Sequence, residues 1–118
     1  MPSEPHQKLM NEILLVITNF PDTESATKFA RQIVKERAAA CVNQLAPCTS
    51  TYRWLDKIES ATEVPLLIKT THTAYPRLEK LIREAHPYEL PEIVAVPLTA
   101  GLPEYLSWID NETTITKE

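Results

Sequence analysis

Gly101 is the one glycine in a chain of 118 residues that carries ten prolines, and this imbalance constrains the fold more than any other feature. Phosphate-cradling loops use several glycines to bring backbone close to the ligand, so neither GxGxxG nor the Walker pattern GxxxxGK can be written here. Nucleotide binding through a Rossmann or Walker loop is excluded. Prolines punctuate instead: Pro21, Pro47, Pro65, Pro76, Pro87, Pro91, Pro97 and Pro103 each fall at or near a change of hydrophobic period, so the segments between them read as elements.

Asn11 to Thr18 reads as a buried strand, because Ile13 to Ile17 is a short apolar run with β-branched members. Pro21 stops it, and Asp22 or Thr23 caps a helix with Glu24 in its first turn. Ala26, Phe29, Ala30, Ile33 and Val34 form the apolar stripe of that helix, which ends around Arg37 or Ala38, with Glu24 and Lys28 paired on the wet side. From Ala39 the pattern becomes a long strand interrupted at Pro47, where a bulge or bend is expected. LDKIESAT then connects to a second strand, Glu63 to Thr71, the two making a long antiparallel hairpin. Ala74 to Ala85 returns to helical spacing, with Glu79 placed to pair with Arg83. His86 precedes Pro87, so this helix stops at or just before it. Glu92 to Pro97 reads as a short buried strand, Gly101 as a turn, and Pro103 as the start of a short helix carrying Tyr105, Leu106 and Ile109. Residues 112–118 read equally as a frayed tail or an edge strand, and residues 1–8 as a mobile arm before a single domain over 9–118.

The order β-α-β-β-α-β predicts a ferredoxin-like α+β sandwich, a four-stranded antiparallel sheet with two helices on one face. The strands carry apolar residues on both sides, and no helix remains for the second face. Together with a projecting hairpin that bears Tyr52 and Trp54, this predicts self-association.

A formal charge of −4, with basic and acidic residues interleaved, leaves no electrostatic footprint for nucleic acid. ILLVI is too short for a membrane span or signal core. Two cysteines, Cys41 and Cys48, make no disulfide framework, which fits a cytoplasmic protein with free thiols.

The segment RAAACVNQLAPCTSTYRWLDKIESATEVPLLIKTT, followed by HPYELPEIVAVPLTAGLPEYLSWI, resembles the CutA divalent-cation tolerance family over about Glu12 to Asn111. The resemblance implies a tight homotrimer with a fold and assembly like the PII-type signalling proteins, and a role in tolerance of divalent metals, copper above all. Four positions depart from the family's pattern. Asp56 stands where a glycine often follows the hairpin tryptophan, and aspartate tolerates the left-handed conformation such a turn needs. Cys48 replaces a small residue or proline. Ile17 occupies the place of a strand cysteine that serves copper in some relatives, and Ala85 breaks their double histidine. The last two weaken transfer of any copper site.

HPYELPEI, His86 to Ile93, concentrates the candidate chemistry. His86, Glu89 and Glu63 offer one imidazole and two carboxylates, a set suited to Cu(II), Zn(II) or Mn(II), with Cu(II) favoured by the Irving–Williams order; Cys41 is the candidate soft ligand. Such a metal is a ligand and is not required for folding. The alternative for the same residues is structural: His86 and Pro87 end a helix, Tyr88 fills a subunit seam, and Cys41 is a small buried hydrophobe. Lys69 is either a snorkelling side chain or the partner of Glu63 or Glu89 across an interface. Tyr52, Trp54, Tyr88 and Trp108, with Lys69, are the candidate cleft or trimer-interface residues. No nucleophile-elbow sequence accompanies either cysteine, so no catalysis is expected. The competing function is a PII-like trimeric sensor or scaffold that binds a metabolite or protein partner in inter-subunit clefts.

Overall fold

The computed structural model describes residues 11–115, so the arm expected over 1–8 and the last three residues of the tail lie outside the described residues. In chain order the elements are β1 (Ile13–Phe20), α1 (Thr23–Lys35), β2 (Cys41–Gln44), β3 (Cys48–Trp54), β4 (Lys57–Thr71), α2 (Tyr75–Ala85), β5 (Val94–Pro97) and α3 (Pro103–Glu112). Every strand pairing is antiparallel, in the order β2-β4-β1-β5, with β3 also on β4. Since β2 and β3 are two halves of one hairpin arm, the sheet is the expected four-ribbon, ferredoxin-like α+β sandwich.

The core lies between α1, α2 and one sheet face. Phe29 and Ile33 of α1 and Leu78 and Ile82 of α2 are buried against Val16, Phe20, Leu66 and Ile68. Alternation along β1 and β4 decides which residues meet the helices: the even-numbered ones from Leu14 to Phe20 and from Val64 to Thr70 are buried, and the odd-numbered ones from Leu15 to Asn19 and Glu63 to Lys69 are half-buried. Helix α1 starts as expected, the Asp22 carboxylate accepting the Ser25 N–H at 2.8 Å. It ends in a Schellman arrangement, Ala38 N–H to Ile33 O at 2.9 Å and Arg37 N–H to Val34 O at 3.1 Å, with Arg37 at φ 61°. Gly101 is not at positive φ; a Cβ there would lie 2.9 Å from Leu106 Cδ2, so its role is close approach of loop and α3.

The hairpin differs from the sequence reading at its tip. Strand β4 begins at Lys57 rather than Glu63, and only Leu55 and Asp56 make the turn, at φ 52° and 66°. Two left-handed residues in succession are the mark of a type I′ turn, which continues the strand twist directly. The ribbon projects: the radius of gyration is 16.0 Å, against about 13–14 Å for a compact chain of this length. The bulge expected at Pro47 is present. Gln44 faces Leu66 whereas Cys48 faces Glu63, so three intervening residues on one arm oppose two on the other.

Two further expectations are corrected. Strand β5 is exposed along its whole length rather than buried, because it lies at the sheet edge with β1 as its one neighbour. The pairs Glu24–Lys28 and Glu79–Arg83 do not form; among the described residues the one ion pair is Arg37–Glu112 at 3.5 Å, and Glu79 accepts the Tyr75 hydroxyl instead. Helix α3 runs through Glu112, and Thr114 and Ile115 are not in a strand.

The second sheet face stays largely open. Helix α3 covers one end, where Ile109 meets Ile13 and Ala40. Beyond it, Val94, Ile17, Leu67 and Asn43 lie in one row and Val96, Leu15, Lys69 and Cys41 in the next, a mainly apolar surface with Asn43 and the Lys69 cation at its β2 side.

Candidate functional site

The bulge at Pro47 selects what faces the open side. A one-residue shift exchanges the two faces of a strand; past the bulge Tyr52 lies opposite Glu59 and Cys48 opposite Glu63. Tyr52 and Trp54 therefore share a face with Glu59 and Glu63, which continues the half-buried face of β4. Against this ribbon stands the loop after α2, and between them is a cleft of about 510 Å³. Its walls are Tyr52, Trp54 and Tyr88, and its carboxylates are Glu59, Glu63, Glu89 and Glu92.

His86 fixes the loop. The residue ends α2 in extended backbone, φ −80° and ψ 134°, as the following proline requires. The residue is 8% exposed, its ring packed against Phe20 and Tyr88 with centroids 4.9 Å and 4.7 Å away. Nδ1 accepts the Tyr88 backbone N–H at 3.1 Å, so Nε2 carries the proton and donates to the Asn19 carbonyl at 2.5 Å. Both ring nitrogens are thereby engaged. The Asn19 side chain donates to Glu92 at 2.6 Å.

The remaining carboxylates are open. Among the described residues, Glu59, Glu63 and Glu89 make no ion pair and no side-chain hydrogen bond within the chain. The Tyr88 phenol is pushed above its usual range by burial first, then by the Glu63 carboxylate and Tyr52. Negative potential thus reaches the aromatic wall.

The structure brings together His86, Glu89, Glu63, Tyr52, Trp54 and Tyr88, and places three of the candidate residues elsewhere. Cys41 lies opposite Lys69 on the open sheet face, half-buried. Lys69 donates to Asn43 at 2.7 Å and pairs with neither Glu63 nor Glu89 within the chain. Trp108 stacks on Tyr105 of α3, centroids 5.5 Å apart, half-exposed and away from the cleft. Sequence reasoning missed Glu59 and Asn19, whereas Glu92 belongs to the HPYELPEI segment it singled out. Glu59 was legible as the residue four before Glu63 on the same face, had the strand been started at Lys57. Among the described residues no three His, Cys, Asp or Glu side chains cluster closely enough to hold a metal ion. No helix among them is long and apolar enough to cross a membrane.

Comparison with known proteins agrees with this fold over nearly the whole chain. The family model described as CutA1 divalent ion tolerance protein matches residues 14–112. The divalent-cation tolerance protein CutA of Thermus thermophilus is 42% identical over 104 residues, covering 88% of this chain and 99% of the relative. Protein CutA of Mus musculus is also 42% identical, over 93 residues, and the match spans 52% of its length. Among solved structures, the Thermus thermophilus protein superposes with a TM-score of 0.85 at 41% identity, over 86% of this chain and 99% of the other. CutA of Xylella fastidiosa gives 0.82 at 46% identity, over 86% and 98%. By the extent of the family match and the identity to full-length relatives, the chain belongs to the CutA1 divalent ion tolerance family.

Proposed function

We propose that the protein contributes to divalent-cation tolerance by binding divalent metal ions, Cu(II) foremost, as a cytoplasmic homotrimer without catalysis. The observation that carries the metal reading is the cleft whose lining Glu63 and Glu89, both without partners among the described residues, share with His86. Two carboxylates are hard donors with open lone pairs. The imidazole joins them only by giving up the Asn19 carbonyl or the Tyr88 N–H, which favours weak, exchangeable binding over a closed structural site. Cys41 stands outside this donor set and serves a metal only from the open sheet face.

The trimer is supported by the apolar rows around Ile17, Leu67, Val94 and Val96 and by the projecting ribbon, surfaces that a lone subunit leaves wet. A shared assembly would also add donors to a cleft that falls short of three or four converging ligands. The PII-like sensor or scaffold reading is favoured by the aromatic walls, which a metal alone does not use.

Calorimetric titration with Cu(II), Zn(II) and Mn(II), joined to sedimentation, tests the proposal. Saturable Cu(II) binding, weakened at least about tenfold by Glu63→Gln combined with Glu89→Gln, is expected. Silence for all three metals removes the metal reading, and a compact, fully folded single subunit at dilution removes the trimer.

A further inference from the structure

We propose that α3 is a strap, a helix that folds and docks in one step over the end of the second sheet face and is latched at its carboxyl end by guanidinium groups borrowed from two other elements. Neither metal binding nor the number of copies bears on it. Helix α3 has little to hold it by itself: no side chain caps its start, no basic residue occupies its last turn, and Ile109 is its one buried residue. Ten residues in that condition make a marginal helix in isolation, so the contacts with the rest of the subunit decide whether it forms. Its last carbonyls, which a helix leaves unpaired, are met from outside. Arg37 Nη1 donates to the Glu112 carbonyl at 3.1 Å. Arg77 Nη2 donates to the Thr113 carbonyl at 3.4 Å and to the carbonyl of Arg37 itself at 2.6 Å. Thr113, buried between them, donates its hydroxyl to the Ile109 carbonyl at 2.9 Å and lies 3.4 Å from the Thr71 hydroxyl, while the Asn11 side chain joins Asp110 to Thr73. The latch thus gathers the approach to β1, the end of α1, the end of β4 and the start of α2 on one turn of α3.

Both arginines sit where their own element disfavours them. Arg37 holds φ 61° at a position that favours glycine. Arg77 puts a cation in the first turn of α2, the positive end of a helix whose first turn carries no acidic residue to offset it. Neither choice is explained locally, and both are explained by the last turn of α3, whose dipole and open carbonyls take cations. At the other end the hold is slight. Leu98 to Leu102 lead into α3 without helix or strand, with Gly101 close against Leu106. Release of the latch therefore turns Pro103–Glu112 from helix to chain about that loop and uncovers Ile13 and Ala40, which then extend the mainly apolar rows of the second sheet face.

The test is native-state hydrogen exchange on the full chain at neutral pH, read residue by residue after correction for intrinsic rates. In the parent protein the amides of Leu106 to Glu112 should exchange at least about tenfold faster than those of Val16 and Leu66 in the β1 and β4 core, through opening of α3 alone. Arg77→Gln should speed the α3 amides by about a further tenfold and leave Val16 and Leu66 unchanged. The same variant should not speed the amides of α2, whose start loses an adverse charge. Thr113→Val, which removes the buried hydroxyl without opening a cavity, should act on α3 as Arg77→Gln does, whereas Lys80→Gln on the exposed side of α2 should leave α3 alone. The proposal is overturned if α3 exchanges as slowly as the core in the parent, a result that stands whether or not any variant folds. It is equally overturned if Arg77→Gln leaves α3 unchanged, or if that variant speeds α3, α2 and the core together, which would make Arg77 a contributor to global stability and not a latch.

Discussion

His86 and Asn19, sixty-seven residues apart, are joined by the imidazole Nε2–H donating to the Asn19 backbone carbonyl. The bond ties the end of β1 to the loop after α2, and with the Tyr88 N–H on Nδ1 it sets the tautomer and the orientation of the ring. The residue that most invites assignment as a metal ligand is, in the folded subunit, the clamp that holds one wall of the cleft in place.

Replacing His86 by alanine should therefore act on stability before it acts on any ligand. The Asn19 carbonyl loses its donor, the Tyr88 N–H loses its acceptor, and the stack on Phe20 is lost. A fall of about 2–3 kcal/mol is expected from these losses together. Urea unfolding should show a lower midpoint at an unchanged slope. A midpoint equal to that of the parent would mean that the clamp carries no load.

Arg37 holds left-handed backbone at φ 61° at the position where helices usually place glycine. Its side chain compensates in part, donating to the Glu112 carbonyl at 3.1 Å and pairing with its carboxylate, although an exposed pair of this kind contributes little. Arg37→Ala loses those contacts and keeps the steric cost. Arg37→Gly loses the same contacts and removes the cost, so it should be the more stable of the two variants by about 1 kcal/mol. Thermal unfolding of the pair measures this directly, and equal melting temperatures would contradict it.

Thr18 sits fully buried on the helix-facing side of β1, and its Oγ1 has no hydrogen-bond partner among the described residues. Valine has the same shape with a methyl in place of the hydroxyl. Thr18→Val should stabilise the fold by about 1–2 kcal/mol, since it removes the desolvation cost of an unpaired polar group without opening a cavity. Chemical denaturation reports the sign; a destabilised variant would show that the hydroxyl is satisfied after all.

The layers of the fold were legible because they follow local period. The stripes at Ala26, Phe29 and Ile33 and at Leu78 and Ile82 are the buried faces of α1 and α2, and Pro87 stops α2 where it must. The cleft was legible in its loop and only half legible in its ribbon. Period two says that Tyr52 and Trp54 share a face but not which one, since the choice is made by the extra residue near Pro47, a feature of register between two distant strands. The turn is half legible: Asp56 takes the left-handed backbone expected of it, at φ 66°, but Leu55 before it is neither glycine nor asparagine, the residues that usually announce a type I′ turn, so LDKIESAT reads as a connection and Glu59 as part of it instead of a wall. Exposure of Val94 and Val96 is set by their place at the sheet edge, which no local pattern records.

Tyr75 and Tyr88 offer a titration with a defined sign. Both phenols are raised above the usual value of 10.0, in each case by burial first, then by a glutamate: Glu79 for Tyr75, Glu63 for Tyr88. For an acid whose folded pKa lies above its unfolded one, the unfolded state loses its proton first as pH rises. Stability from these groups is therefore complete below pH 10.0 and declines as pH climbs through the raised folded values. Phenolate absorbance should show two late-titrating tyrosines. Glu63→Gln should move the Tyr88 midpoint down and leave Tyr75 in place, and Glu79→Gln should do the reverse. If Glu63→Gln moved neither, Glu63 would not share the cleft with Tyr88, and the acidic wall on which the proposed metal binding draws would be lost.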